Sequence, residues 1–186
     1  MSAPPVHLSY ETGGRKEYCL SFGAADATRT VLILPPLFDE MNRTRRVLVQ
    51  AMRALVPAGV RTLLPDLPGC NESLADLSAQ SLAGWRRAAT DCAGQLLATH
   101  IASVRGGCLI DDAATLPCWR LAPVKGASLL KMMLRTRIAA DKESGVSTSA
   151  EQLLATAKTA PIELSGNLIG QKMLSALDGA EPVAEA

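Results

Sequence analysis

The fold of this 186-residue chain is decided by the stretch Thr99-His-Ile-Ala-Ser-Val-Arg-Gly-Gly-Cys-Leu-Ile-Asp-Asp112. The first half of this stretch, with the β-branched Ile101 and Val104, predicts a buried strand. The pair Gly106-Gly107 then predicts a sharp turn. The apolar residues after the turn predict a helix, and this helix is expected to be short because Pro117 soon follows.

Strand-like and helix-like segments alternate from residue 30 onward, which predicts an α/β fold with a mostly parallel sheet and helices on both faces. Two short strands joined at Thr12-Gly13-Gly14 precede this alternation. The predicted strands cover residues 6–11, 17–22, 30–34, 61–65, 100–103, 119–124 and 162–164. The predicted helices cover residues 40–57, 81–99, 126–142, 149–159 and 167–177. Residues 1–179 are predicted to form one domain, with residues 180–186 as a disordered tail.

The composition excludes several classes of function. A net charge of +1 gives no general attraction to nucleic acid or to an anionic membrane, and 3% aromatic residues are too few for stacking single-stranded bases. No apolar run approaches the ~20 residues that cross a membrane. The five cysteines are scattered without a CxxC pair, so we expect reduced thiols in a cytoplasmic protein, no zinc or other metal site, and no cofactor.

Three segments together resemble a known family. They are Leu34-Pro-Pro-Leu-Phe-Asp-Glu-Met-Asn-Arg-Thr-Arg-Arg46, Asp66-Leu-Pro-Gly-Cys-Asn-Glu-Ser73, and Ser103-Val-Arg-Gly-Gly107 followed by Trp119-Arg-Leu-Ala-Pro-Val-Lys-Gly126. The chain thereby resembles the exosortase A system-associated hydrolase 2 family, over roughly residues 32–177. The resemblance implies an α/β-hydrolase-like three-layer sandwich of about six strands, with the family's last strands missing. It also implies a bacterial cytoplasmic protein encoded near exopolysaccharide and protein-sorting genes.

The resemblance does not bring a visible catalytic triad with it. An α/β hydrolase carries its nucleophile in a Gly-x-Ser-x-Gly turn, with an acid and then a histidine later in the chain. Here the middle position of that turn holds Arg105, and the two histidines, His7 and His100, both precede it. We therefore expect a protein with a degenerate site that acts as a binding or assembly partner. The alternative is an ester or thioester hydrolase with a non-standard nucleophile, for which Ser103 and Cys108 are the weak candidates.

The binding candidates follow the ends of the central strands. Parallel strands open onto one crevice at their carboxyl edge, so Glu40, Asp66 and Arg105 are expected to lie near each other. Arg105 either pairs with Glu40 or Asp66 and ties the loops together, or binds an anion.

A basic cluster opens the first long helix. Arg43, Arg45 and Arg46 oppose the helix dipole there, which is unfavourable by up to ~1 kcal/mol each. Together with Asn42 they either face an acidic small molecule or protein partner, or simply form a solvated helix face.

The predicted strand at 119–124 lies near an edge of the sheet. An uncovered apolar edge promotes association with other chains. We therefore expect either that the strand at 162–164 adds beside it, or that a homodimer covers the exposed edge.

Overall fold

The computed structural model describes residues 4–111 and 115–183. Six strands form one mixed sheet in the order β1-β2-β4-β3-β5-β6. Strand β2 runs antiparallel to both β1 and β4, and the pairs β3·β4, β3·β5 and β5·β6 are parallel. The strands are β1 Val6–Thr12, β2 Arg15–Phe22, β3 Arg29–Leu34, β4 Val60–Pro65, β5 His100–Val104 and β6 Cys118–Leu121. The predicted α/β class and the predicted main-sheet strand number of about six are confirmed.

Helices pack on both faces of this sheet and form the outer layers. They are α1 Asp39–Leu55, α2 Leu82–Gln95, α3 Gly126–Glu143, α4 Ala150–Thr156 and α5 Gln171–Asp178. Alternate residues of β3 define the two faces, because successive strand side chains point in opposite directions. Val31 and Ile33 pack with Met52 of α1. Leu32 and Leu34 join a larger core with residues of the other four helices. We call these faces the α1 face and the α2 face.

The segment after residue 160 differs from the prediction. The strand predicted at 162–164 does not join the main sheet. Instead β7, Ile162–Leu164, pairs antiparallel with β8, Asn167–Ile169, in a separate two-stranded sheet. The helix predicted at 167–177 therefore begins only at Gln171. The reason is the turn between the strands, where Ser165 and Gly166 both have positive φ and direct the chain back along β7.

Several other boundaries shift. The helix predicted at 81–99 ends at Gln95, and the helix predicted at 149–159 ends at Thr156. The strand predicted at 119–124 ends at Leu121, where Ala122 takes a φ of 48° before Pro123. The short helix expected after Gly107 is a 3₁₀ turn, Arg105–Leu109. The packed chain also continues past the predicted boundary at 179, because Ala180 is buried and its carbonyl accepts a hydrogen bond from the Gly126 N–H. The end of the predicted tail, residues 184–186, lies outside the described residues.

Candidate functional site

A tight turn, which we call the elbow, connects β5 to the 3₁₀ turn at the carboxyl edge of the sheet. Its apex is Arg105, with a φ of 51°, a left-handed conformation that is unfavourable for an arginine by about 1–2 kcal/mol. The two following glycines allow close packing, tightly at Gly106 and without room for a Cβ at Gly107. A Cβ at Gly106 would lie 3.1 Å from Leu37, and one at Gly107 would overlap the carbonyl oxygen of Leu34 at the end of β3. The elbow predicted from Gly106-Gly107 is thus confirmed.

The guanidinium of Arg105 is held by Glu40, the second residue of α1. Its Nε and Nη2 donate to the two carboxylate oxygens of Glu40, each at 2.9 Å. Bidentate pairing of this kind is the strongest geometry for an arginine and a carboxylate, and it raises the pKa of the Arg105 side chain. The pairing of Arg105 with Glu40 is confirmed, and it ties the elbow to the start of α1.

Asp66 belongs to a different ion pair. Its buried carboxylate accepts hydrogen bonds from Asn71 Nδ2 at 2.9 Å and Arg45 Nη1 at 3.3 Å. Burial raises the pKa of Asp66, and it outweighs the lowering by Arg45 and Asn71. The carboxylates of Glu40 and Asp66 therefore serve two separate pairs.

The other basic-cluster residues do not join the Arg105–Glu40 pair. Asn42, Arg43 and Arg46 are exposed on α1. Arg43 Nη2 lies 2.8 Å from the Asp39 carboxylate one turn earlier, and Arg45 lies 3.3 Å from Asp66.

Beneath the elbow lies a buried polar cluster. Ser103 is buried and its hydroxyl donates to the carboxylate of Asp111. Arg120 of β6 also forms a bidentate ion pair with Asp111, in which Nε and Nη2 donate hydrogen bonds of 2.8 and 3.0 Å. Sequence reasoning missed Asp111 and Arg120. The only available signal was Arg120 within an otherwise apolar strand, which requires a buried partner without saying which one.

The second nucleophile candidate, Cys108, is also buried. Burial raises the pKa of its thiol, which disfavours the reactive thiolate. The Ser103 hydroxyl and the Cys108 thiol are therefore both enclosed by protein and shielded from solvent.

The two histidines lie far from the elbow. His7 is exposed on β1. His100 is the first residue of β5, where its Nδ1 lies 2.9 Å from Thr99 Oγ1 and its ring stacks on Trp119 at 5.2 Å. Because a strand rises about 3.3 Å per residue, His100 and Arg105 are roughly 16 Å apart. Neither histidine is placed to act as a base at the elbow.

A cavity of about 450 Å³ opens beside the Arg45–Asp66 pair. Its other lining residues are His7, Tyr18, Leu20, Glu72 and Leu74. Two carboxylates and one guanidinium give it no excess positive charge, so the cavity does not favour an acidic ligand.

The described residues contain neither a metal-binding cluster nor a membrane-spanning helix. No group of three or more His, Cys, Asp or Glu side chains is placed to hold a metal ion within residues 4–111 and 115–183. Within the same ranges, every helix is too short or too polar to cross a lipid bilayer.

The raised pKa of Asp66 leads to a testable pH dependence. A carboxyl whose pKa is higher in the folded state binds its proton more tightly there, so its contribution to stability is lost as the pH rises. We expect the unfolding free energy of the wild type, minus that of Asp66→Asn, to fall as the pH rises from about 4 towards neutrality. Urea denaturation at several pH values measures this difference. A difference that grows with pH would mean that the Arg45 pair outweighs burial.

Comparisons with known proteins establish the fold. No protein-family model matches the chain, and no curated protein sequence does. Among solved structures, the chain is similar to a presumed hydrolase from Agrobacterium vitis S4, with 14% identity and a TM-score of 0.59 over 95% of this chain and 71% of that one. It is also similar to a predicted CIB-like hydrolase from Thermoplasma acidophilum, with 12% identity and a TM-score of 0.51 over 71% and 69% of the two chains. The architecture is therefore that of the α/β hydrolases.

Proposed function

We propose that this chain is a catalytically silent α/β-hydrolase-like protein that acts as a binding or assembly partner in a bacterial exosortase- and exopolysaccharide-associated system. One observation carries the proposal. The apex of the elbow, where this fold presents its nucleophile, is occupied by Arg105, and the Nε and Nη2 edge of its guanidinium is paired with Glu40.

The chemistry of arginine supports the absence of catalysis at this position. A guanidinium stays protonated in proteins, so it is neither a nucleophile nor a general base. The triad of this fold also needs a histidine within hydrogen-bonding reach of the attacking atom, and the strand β5 separates His100 from Arg105.

The alternative function, an ester or thioester hydrolase, requires Ser103 or Cys108 to attack. The hydroxyl of Ser103 does have a carboxylate acceptor in Asp111. However, that carboxylate is already engaged by Arg120, and Ser103 is 1% exposed, so a substrate carbonyl has no route to the oxygen. This geometry favours the silent protein.

Hydrolysis of a p-nitrophenyl ester series tests the choice. We expect the wild type, Ser103→Ala, Cys108→Ala and Arg105→Ala to give the same rate as buffer, with circular dichroism confirming that each variant is folded. Arg105→Ser restores a hydroxyl at the apex and serves as the matched control. It is expected to stay silent because no histidine lies near. Saturable turnover that Ser103→Ala or Cys108→Ala abolishes would establish a hydrolase instead.

The partner's chemistry belongs to the same proposal. Asn42, Arg43 and Arg46 present an exposed, mostly basic surface on α1, which an acidic small molecule or an acidic protein segment would match in charge. A cytoplasmic location agrees with five free thiols among the described residues.

A further inference from the structure

The cavity of about 450 Å³ beside Arg45 and Asp66 lies on one face of the hairpin formed by β1 and β2. Leu20 of β2 packs against the core of the α1 face. Tyr18 is two residues earlier in the same strand, and His7 is the partner of Leu20 in β1, so all three side chains point to this face. They form the floor of the cavity, which we call the hairpin cavity.

A second part of the lining is the ion pair of Arg45 and Asp66. Asp66 is only 3% exposed, and its N–H donates to the carbonyl oxygen of Tyr18 at 2.8 Å, which fixes it next to the cavity floor. Arg45 Nη1 donates to the carboxylate of Asp66. Because this guanidinium already faces a carboxylate, the lining offers no unpaired positive charge at this point.

The loop after β4 supplies the remaining lining residues, Glu72 and Leu74. Asn71, with a φ of 51°, fastens this loop by donating a hydrogen bond to the buried carboxylate below it. Ser73 fixes the adjoining turn, because its Oγ accepts a hydrogen bond from the Gly69 N–H at 2.8 Å. The hairpin cavity is therefore formed before any ligand binds, which lowers the entropic cost of binding.

The charges of the lining favour a positively charged ligand. The guanidinium of Arg45 and the carboxylate of Asp66 balance each other. Glu72 is exposed, and among the described residues its carboxylate has no ion-pair partner. One guanidinium and two carboxylates thus leave an excess of negative charge, and charge complementarity selects a cation over an anion.

The hairpin cavity also exposes apolar and aromatic surface. Leu74 is 95% exposed and Tyr18 is 44% exposed, and Leu20 is half-buried. The face of a tyrosine ring attracts a cation, and leucine side chains suit the hydrocarbon part of a ligand. A volume of about 450 Å³ lies within the usual range of small-molecule sites.

We propose that the hairpin cavity binds a small organic cation, namely a protonated amine attached to an apolar or aromatic body. In this site the ammonium group pairs with Glu72, and the hydrocarbon part contacts the ring of Tyr18 and the side chain of Leu74. A metal ion is a poorer match, because residues 4–111 and 115–183 contain no group of three or more His, Cys, Asp or Glu side chains placed to hold one.

This inference goes beyond the proposed binding role and uses none of the elbow residues. Asn42, Arg43 and Arg46, which are proposed to meet an acidic partner, do not line the hairpin cavity. A silent elbow is compatible with an empty cavity, and hydrolysis at the elbow is compatible with a bound amine. The ester assay and the binding measurement below therefore fail independently of each other.

Titration of the protein with 2-phenylethylamine, followed by the NMR signals of the backbone amides, tests the proposal. The probe carries one ammonium group on a phenyl-bearing chain, and a ligand of this size is expected to bind in about the millimolar range. Saturable shifts are expected for the lining residues in β1, β2 and the loop after β4. The neutral 2-phenylethanol should bind about threefold more weakly, and the anionic phenylacetate should not bind.

Two variants test the location of the bound amine. Glu72→Gln removes the unpaired carboxylate and is expected to weaken binding by about three- to fivefold, as the loss of an exposed ion pair does. Leu74→Lys places a like charge at the cavity and should remove measurable binding. Both side chains are exposed, so circular dichroism should not change. The matched control is Glu143→Gln, which removes an exposed carboxylate at the end of α3 and should bind like the wild type.

The proposal is overturned by any of three results. The first is the absence of saturable shifts at the lining residues with 2-phenylethylamine. The second is equal affinity for 2-phenylethylamine and phenylacetate, which would mean that the charge of the ligand is not recognised. The third is an affinity of Glu72→Gln or Leu74→Lys equal to that of Glu143→Gln, which would place the amine elsewhere on the protein.

Discussion

Asp111→Asn is expected to lower the free energy of unfolding by about 3–5 kcal/mol, the usual effect of removing one member of a buried ion pair. The Asp111 side chain is 0% exposed and that of Arg120 is 13% exposed. Asparagine keeps the size of the side chain but leaves the guanidinium without a counter-charge, and Ser103 loses its carboxylate acceptor. Urea denaturation followed by circular dichroism measures the loss.

An exposed ion pair elsewhere in the chain provides the control. Lys125 and Glu181 lie 3.1 Å apart with side chains 65% and 59% exposed. Glu181→Gln is expected to change the unfolding free energy by less than about 1 kcal/mol. If Asp111→Asn changes the free energy of unfolding by as little as Glu181→Gln does, the buried ion pair under the elbow does not stabilise the fold.

Gly107→Ala is expected to destabilise the protein by about 3 kcal/mol, at the upper end of what one added methyl group does in a packed interior. A Cβ at this position would lie 2.6 Å from the carbonyl oxygen of Pro35 and would also overlap that of Leu34. Both atoms belong to backbone, which cannot rotate away as a side chain does. The end of β3 and the elbow would have to move apart, and thermal unfolding should show a clearly lower midpoint.

The same substitution at Gly94 should act in the opposite direction. Gly94 lies within α2, where a Cβ would meet nothing within 4 Å. Alanine is favoured over glycine inside a helix by about 0.5–1 kcal/mol, so Gly94→Ala is expected to raise the unfolding midpoint. If alanine changed the unfolding midpoint equally at Gly94 and Gly107, the close approach of the two backbones at the elbow would not be the reason that glycine is required there.

The sequence predicted the central elements well because their signals are local. Apolar β-branched runs mark β3 and β5, and Gly106-Gly107 marks the elbow, since only glycine fits where two backbones meet closely. After residue 160 the strand at 162–164 is predicted correctly, but residues 167–169 are wrongly predicted as the start of a helix. The dipeptide Ser165-Gly166 is a turn signal that the helix prediction did not take into account, and both of its residues have positive φ.

The candidate site was predicted only in part. Glu40 was one of the two partners predicted for Arg105. The prediction rested on the rule that neighbouring parallel strands end at the same edge of a sheet. Ser103 and Cys108 were weighed as nucleophiles by residue type, and the structure encloses both. Arg120 and Asp111 were overlooked, because they are nine positions apart in the sequence and only the fold brings their side chains together.

The α/β architecture, the position of the elbow and the arginine at its apex could be predicted from the sequence, because periodicity, turn chemistry and residue identity are local signals. The carboxylate that pairs with each arginine and the exposed face of β6 could not be predicted without the fold. Those outcomes depend on the rotation of α1 about its axis and on the register of β6 against β5. Both are set by packing between segments that lie far apart in the chain.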